Sequence, residues 1–122
     1  MSINEKAAGT VAKLLHLTLK GELEWKPVRD TTPLTYGTED LADVAYTAEY
    51  SDNVFALYKA RFKGSNDGDT FYWTDRVVLK LVDREGRTQW EFPTVAPLDA
   101  LYKKVQMQAE CVEDRLDRIL AA

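Results

Sequence analysis

Apolar residues recur at every third or fourth position near the N-terminus of this chain, a spacing that predicts an amphipathic helix. The stripe consists of Ile3, Ala7, Val11, Leu14 and Thr18. Ser2 and Glu5 have the spacing of a capping box at the start of such a helix. Gly21 is a natural residue for the position just beyond its end.

The same helical spacing returns at the other end of the chain. Pro97 suits a first helical position, and the apolar stripe after it is formed by Leu98, Leu101, Val105, Val112, Leu116 and Ile119. We predict one helix of about 25 residues and about 37 Å, which is longer than the sheet is expected to be wide. Its far end must therefore overhang the sheet or pack on something else.

Between the helices the polar and apolar residues alternate, which predicts half-buried β-strands. The first strand is expected at residues 22–26, ended by Pro27. Residues 28–43 show the least periodicity and are expected to form a long loop, with a short strand around residues 34–36. From Val44 to Phe92 the alternation indicates successive hairpins.

Two of these hairpins have a register that the sequence favours. With Asp52-Asn53 as a two-residue loop, Tyr50 lies opposite Phe55, and Ala48 lies opposite Leu57. A loop centred on Glu85-Gly86 gives three pairs, which are Leu81 with Trp90, Leu79 with Phe92, and Lys80 with Glu91. The alternative, a three-residue loop with a bulge at Gly86, sets Leu81 against Gln89. The first register is preferred because apolar residues meet on one face and opposite charges on the other.

The order of elements predicts an α+β fold in a single domain that spans residues 1–122. An N-terminal helix is followed by an antiparallel meander of about five strands and a long C-terminal helix. Most strands have one apolar face, and the helices are expected to cover that face.

Three segments of the chain resemble a group of short bacterial proteins that have no assigned activity. The segments are residues 14–25 (LLHLTLKGELEW), residues 79–87 (LKLVDREGR), and Leu101-Tyr102 together with residues 112–120 (VEDRLDRIL). These residues define a fold rather than a site, so the resemblance implies the fold and a bacterial setting and assigns no catalytic or binding residue.

Composition and charge narrow the class of protein. The chain is 45% hydrophobic and 30% charged, which is ordinary globular composition. Its 16 Lys and Arg against 20 Asp and Glu give a net charge of −4, which argues against a nucleic-acid binder. No secretory signal or apolar run of membrane-spanning length is visible, so we expect a cytoplasmic protein without a membrane partner.

Catalytic and metal-binding residues are not indicated. His16 and Cys111 are single residues in predicted helices, where a packing role suffices for each. Asp67-Gly68 fits a hairpin turn, and the segment lacks the spacing and the terminal Glu of a calcium loop. No phosphate-binding, dinucleotide, zinc or nucleophile-elbow motif is present. We therefore expect no enzyme activity, no metal and no cofactor.

Two sets of polar residues are candidates for an interaction surface. Tyr72 is an aromatic residue in a predicted strand, and three basic residues alternate along the preceding strand, where they could flank it: Lys59, Arg61 and Lys63. The stretch from Glu39 to Asp52 contains no Lys or Arg and begins with Glu39, Asp40 and Asp43. An acidic stretch followed by a basic strand predicts a dipolar surface suited to protein docking.

The leading hypothesis is a small non-enzymatic protein-interaction module of a bacterial cytoplasm. Its partner is another protein or a second copy, in which case the C-terminal helix or a sheet edge forms a two-fold contact. The alternative is a small-ligand-binding domain with a pocket between sheet and helices, closed by residues 27–43. A third hypothesis is nucleic-acid binding through Tyr72 and the three basic residues, which predicts retention on heparin.

Overall fold

The computed structural model describes residues 2–38, 40–66 and 70–122. The elements are α1 (Ile3–Leu19), β1 (Lys26–Val28), α2 (Thr32–Thr35), β2 (Ala45–Tyr50), β3 (Asn53–Asn66), β4 (Thr70–Val82), β5 (Thr88–Glu91), α3 (Leu98–Ala109) and α4 (Val112–Ala121). The strands form one antiparallel sheet in the order β1-β2-β3-β4-β5. The α+β prediction, with helices at both ends of a five-stranded meander, is confirmed.

One face of the sheet is covered by α1 and α3, as the apolar stripes predict. The Ser2 hydroxyl accepts a hydrogen bond from the backbone N–H of Glu5 at 3.2 Å and so begins α1. The buried side chains between the two helices and the sheet include Val11, Leu14, Trp25, Tyr46, Leu57, Leu79 and Leu101. Most of the hydrophobic core lies in this layer.

The opposite face of the sheet is also covered, by residues 29–38 and 40–43, which we call the covering segment, and it forms a second buried cluster. Its members are Leu34, Ala45, Ala56, Tyr58, Ala60, Val78 and Val82. Three of the seven are alanines, which lets the covering segment approach the sheet closely. The predicted strand at residues 34–36 is wrong: Thr32–Thr35 is a short helix, with Pro33 in its first turn and Leu34 buried on the sheet.

The turn between β2 and β3 differs from the predicted one. The two-residue loop is Ser51-Asp52, with φ of 53° and 64° at the two residues, as a type I′ turn requires. Ala48 therefore lies opposite Phe55, and Tyr46 lies opposite Leu57. The predicted loop at Asp52-Asn53 is wrong, but the register differs by two residues, so each side chain keeps its face.

The hairpin between β4 and β5 has the predicted register. Lys80 pairs with Glu91 and Leu81 with Trp90, and the N–H of Phe92 donates to the Leu79 carbonyl at 2.8 Å, which continues the same register. Between Leu81 and Val82 the register shifts by one residue, so that Val82 pairs with Thr88 and the N–H of Asp83 donates to the Arg87 carbonyl at 2.9 Å. The loop is therefore the three residues 84–86, and the predicted loop centred on Glu85-Gly86 is wrong at the turn itself.

The first strand begins later than predicted. The expected strand at residues 22–26 is instead β1 at Lys26–Val28, with Pro27 inside it. Because β1 is an edge strand, the missing N–H of proline costs no central ladder bond. Leu23 and Trp25 are nevertheless buried, as the alternation predicted.

The single C-terminal helix predicted from the apolar stripe is two helices. Cys111 has φ of 52° and ψ of 44°, a left-handed conformation that ends α3 and precedes α4. No residue of α4 is buried, so this end of the chain overhangs the sheet. Among the residues that the structure describes, no helix is both long and apolar enough to cross a membrane.

Candidate interaction surfaces

Strands β3 and β4 extend well beyond their neighbours in the sheet. Pairing of β2 with β3 ends at Tyr58, and β5 pairs with β4 only from Lys80 onward. We call the two-stranded extension formed by residues 60–66 and 70–78 the arm. A single backbone bridge between Leu41 and Arg61 joins its base to the covering segment.

The arm does not bring Tyr72 together with the basic residues. Tyr72 pairs with Gly64, whereas Lys63 pairs with Trp73. Because side chains alternate between the two faces of a strand, Lys59, Arg61 and Lys63 share the helix-covered face with Trp73, and Tyr72 lies on the other face. The predicted single surface of Tyr72 flanked by three bases is therefore wrong.

Two of the basic residues lie against aromatic rings. The Lys63 ammonium is 5.5 Å from the Trp73 ring centroid, and the Lys59 ammonium is 5.2 Å from that of Tyr102. These are cation–π distances. Charged side chains on a strand that has lost its neighbour also discourage unwanted pairing at that edge. The alternating bases of β3 thus have a structural role.

Two residues of the acidic stretch, Asp40 and Asp43, lie against the arm instead of forming a separate pole. Asp43 pairs with Arg61 at 3.7 Å, and Asp40 pairs with Arg76 at 3.4 Å. Glu39 lies outside the described residues. The expected dipolar surface is therefore partly neutralised within the chain, because Asp43 pairs with Arg61 of the basic strand and Asp40 pairs with Arg76 of β4.

A charged side chain, Lys80, is enclosed between the sheet and the covering segment. Lys80 is 5% exposed and donates to the Leu34 carbonyl at 2.8 Å, with its ammonium 5.5 Å from the Tyr58 ring. Burial lowers the pKa of Lys80, and burial raises the pKa of Tyr58 above its usual range. Lys80 therefore fastens α2 to the sheet, and its enclosure argues against a nucleophilic role.

An open apolar groove of about 440 Å³ lies between the start of α1 and the β5 side of the sheet. It is lined by Ile3, Ala7, Phe55, Leu81, Trp90 and Phe92, with Lys6, Thr10 and Asn53 as its polar residues. The loop expected to close a pocket here covers the opposite face of the sheet, so that part of the ligand-binding prediction is wrong. The groove itself has the apolar lining and few polar groups of a ligand site.

Helix α4 presents an exposed apolar stripe to solvent. Its stripe is Val112, Leu116, Ile119 and Leu120, and the last three are 52%, 69% and 84% exposed. We call these four residues the α4 stripe. Glu113 and Asp114, which lie outside the stripe, line a groove with Leu19 and Met107 of the helical layer. The polar side of α4 thus adjoins the protein body, and the stripe is left to solvent.

The sequence predicted the stripe residues as part of one continuous helix whose far end overhangs the sheet or packs on something else. The missing information is the break at Cys111, since a left-handed residue is usually marked by Gly or Asn. Without the break, Leu116 and Ile119 continue the buried positions of α3. With the break, they point away from the core.

The other chemical candidates are dispersed. His16 is exposed on α1, and Cys111 is exposed at the α3–α4 junction. Within residues 2–38, 40–66 and 70–122, no group of three His, Cys, Asp or Glu side chains is arranged to hold a metal ion.

Comparison with known protein families, with curated protein sequences and with solved structures finds no match to this chain. The resemblance to a group of short bacterial proteins stays a prediction.

Proposed function

We propose that this protein is a non-enzymatic protein-interaction module of a bacterial cytoplasm and that α4 is its docking element. The observation that carries the proposal is the exposed α4 stripe, because α4 is a regular amphipathic helix with no buried residue. An exposed apolar stripe with polar borders is typical of a helix that binds a partner's groove or a partner helix.

Burial of the α4 stripe by a partner would be energetically favourable. Full burial of a Leu or Ile side chain contributes about 1.5–3 kcal/mol, and three large side chains of the α4 stripe remain largely in water. Since α3 and the sheet already have a closed core, the stripe adds nothing to the stability of the isolated chain. A partner surface that covers it would recover that free energy.

A photo-crosslinking residue at Ile119 tests the proposal in cells of the native organism. Ile119 is in the α4 stripe, and the matched control carries the same residue at Asp114, on the opposite side of the helix. We expect discrete protein adducts from position 119 and few or none from position 114. Equal labelling at both positions, or no adduct at position 119, would contradict the proposal.

The α1–β5 groove favours the second candidate function, a small-ligand-binding domain. Trp90 and Phe92 pack edge to face in it, with ring centroids 4.7 Å apart. Binding of anilinonaphthalene sulfonate tests whether the groove accepts an aromatic ligand. Saturable fluorescence that is lost in Trp90→Ser but kept in Trp73→Ser would support this candidate over the first.

A further inference from the structure

The polar residues of α4 are sorted by the sign of their charge. At 3.6 residues per turn, the α4 stripe is bordered on one side by Glu113 and Asp117 and on the other by Arg115 and Arg118. We call these pairs the acidic border and the basic border. Asp114 lies opposite the stripe, between the two borders.

This arrangement is complementary to itself in one orientation. When two such helices face each other in parallel, related by a two-fold axis along the helix direction, each basic border meets the partner's acidic border. In an antiparallel pair the two-fold axis crosses the helices, so acidic meets acidic and basic meets basic. A surface that matches itself under a two-fold rotation is what a symmetric dimer requires.

We propose that α4 pairs in parallel with α4 of a second copy of this chain, stripe against stripe. The proposal rests on the interaction function above and names its partner. The opposite-charge borders set the parallel orientation, since like-charge contacts would oppose the antiparallel one. The neighbouring groove is lined by Glu113 of the acidic border and by Asp114 but by no residue of the α4 stripe, so the stripe is accessible to the second copy.

The small size of the contact between the two helices indicates a weak dimer. A ten-residue helix is about 15 Å long, and two such helices bury less than the roughly 1,200–2,000 Å² of a standard interface. The dimer is therefore expected to be weak and concentration-dependent. Sedimentation of the purified full chain between about 10 μM and 1 mM should show a monomer–dimer equilibrium.

Charge reversal of each border tests the pairing. The variant Arg115→Glu/Arg118→Glu has two acidic borders, and Glu113→Lys/Asp117→Lys has two basic ones. Each variant alone should dimerise at least about tenfold more weakly than the natural sequence. An equimolar mixture should associate again, because every border then faces its opposite. Asp114→Lys, which changes a charge away from the borders, is the matched control and should dimerise normally.

Engineered cysteines test the orientation, in a Cys111→Ser background that removes the exposed natural thiol. In a parallel pair, residue 112 faces residue 112 and residue 119 faces residue 119. Val112→Cys and Ile119→Cys should therefore each form a disulfide dimer alone, since a disulfide needs Cα atoms within about 7 Å. In an antiparallel pair centred on the helix, a disulfide forms only when the two variants are mixed.

The outcomes separate this inference from the proposed function. A monomer at every concentration, an unchanged dimer after border reversal, or cross-linking only in the cysteine mixture would overturn the parallel homodimer. If adducts of a different protein still form at position 119 in cells, the interaction function survives with another partner. If no adduct of any kind forms there, both fail.

Discussion

At the scale of single residues, a threonine in an apolar stripe joins two parts of the core. The Trp25 indole, 2% exposed, donates from Nε1 to the Thr18 hydroxyl at 3.0 Å. That hydroxyl in turn donates to the Leu14 carbonyl at 2.7 Å. Thr18 therefore satisfies the one polar group of a large buried side chain and fixes the end of α1 against the chain that follows it.

Replacing Thr18 with Val should lower the free energy of unfolding by about 1–3 kcal/mol, because the buried indole N–H loses its acceptor. Thr10→Val is the matched control. Thr10 makes the same bond back to the helix, from its hydroxyl to the Lys6 carbonyl at 2.8 Å, but the bond is exposed to solvent. Its cost should be under about 0.5 kcal/mol in urea unfolding. Equal effects of the two variants would contradict the account of Trp25.

Buried tyrosines make the stability of the protein depend on pH in the alkaline range. Burial, followed by the hydrogen bond from its hydroxyl to Glu110 at 3.1 Å, raises the pKa of Tyr46 from 10.0 to about 12. Burial also raises the pKa of Tyr58 and of Tyr102. The unfolded chain releases these tyrosine protons at a lower pH than the folded protein does. The contribution of the three tyrosines to the free energy of unfolding is therefore complete below pH 10 and is lost as the pH rises toward 12. The lowered pKa of Lys80 acts in the opposite direction, as one group against three tyrosines.

The free energy of unfolding should therefore fall steeply above pH 10, as measured by urea unfolding at neutral and alkaline pH. Tyr46→Phe should cost about 1 kcal/mol at neutral pH through the lost hydrogen bond. It should also show a smaller further loss at alkaline pH, because one ionisable group has been removed. An alkaline loss as large as that of the natural sequence would show that Tyr46 is not part of the linkage.

At the scale of elements, the sequence predicts the features that depend on local pattern and misses those that depend on packing against distant parts of the chain. The α1 helix and the β4–β5 register follow from side-chain period and cross-strand matching within a few residues. The covering segment is different, because Leu34 is buried only through contact with a sheet face whose strands come later in the chain. Its polar, proline-containing sequence has no hydrophobic period that would indicate this burial.

The candidate interaction surface was likewise predictable only in part. The individual residues Tyr72, Lys59, Arg61 and Lys63 lie on the strands where the alternation placed them. Their relative faces depend on the register of the β3–β4 hairpin, which one-residue differences in turn length invert. The break at Cys111 also depends on the fold, since cysteine has no preference for a left-handed conformation.

Lys80→Met should loosen the covering segment selectively. The variant keeps most of the side-chain volume but leaves the Leu34 carbonyl without its ammonium donor. The opening free energy of α2 should fall by about 1–3 kcal/mol, seen as faster amide exchange at residues 34 and 35. Amides of Leu57 and Leu79 in the sheet should exchange as before. Lys103→Met, at an exposed position of α3, is the control and should change neither set.

At the scale of the whole molecule, the closed core ends before α4. Glu110 belongs to the core side of this boundary, because it accepts from Tyr46 and pairs with Arg29 at 3.3 Å. The remaining helix, α4, has no buried residue, and its proposed role is to bind a partner. We therefore expect folding and the proposed association to depend on separate parts of the chain, which a truncation separates.

A chain that ends at Glu110 should keep its free energy of unfolding within about 0.5 kcal/mol of the full chain, measured in dilute monomer. It should also lose the self-association proposed for α4. A chain that ends at Tyr102 is the contrasting variant, because it lacks Val105, which is fully buried. That loss should cost several kcal/mol. A large loss from the first truncation would show that α4 supports the fold.

The order of the strands has a consequence for how fast the parts of the molecule form. Every strand pairs with its neighbour in sequence, so the meander is built from short-range contacts that close quickly. The packing of α1 on α3 joins opposite ends of the chain, and its loop-closure entropy is the largest. The hairpins are therefore expected in the folding nucleus, and the α1–α3 contact late in folding. Changes at Leu57 should slow folding, whereas changes at Val11 should mainly speed unfolding.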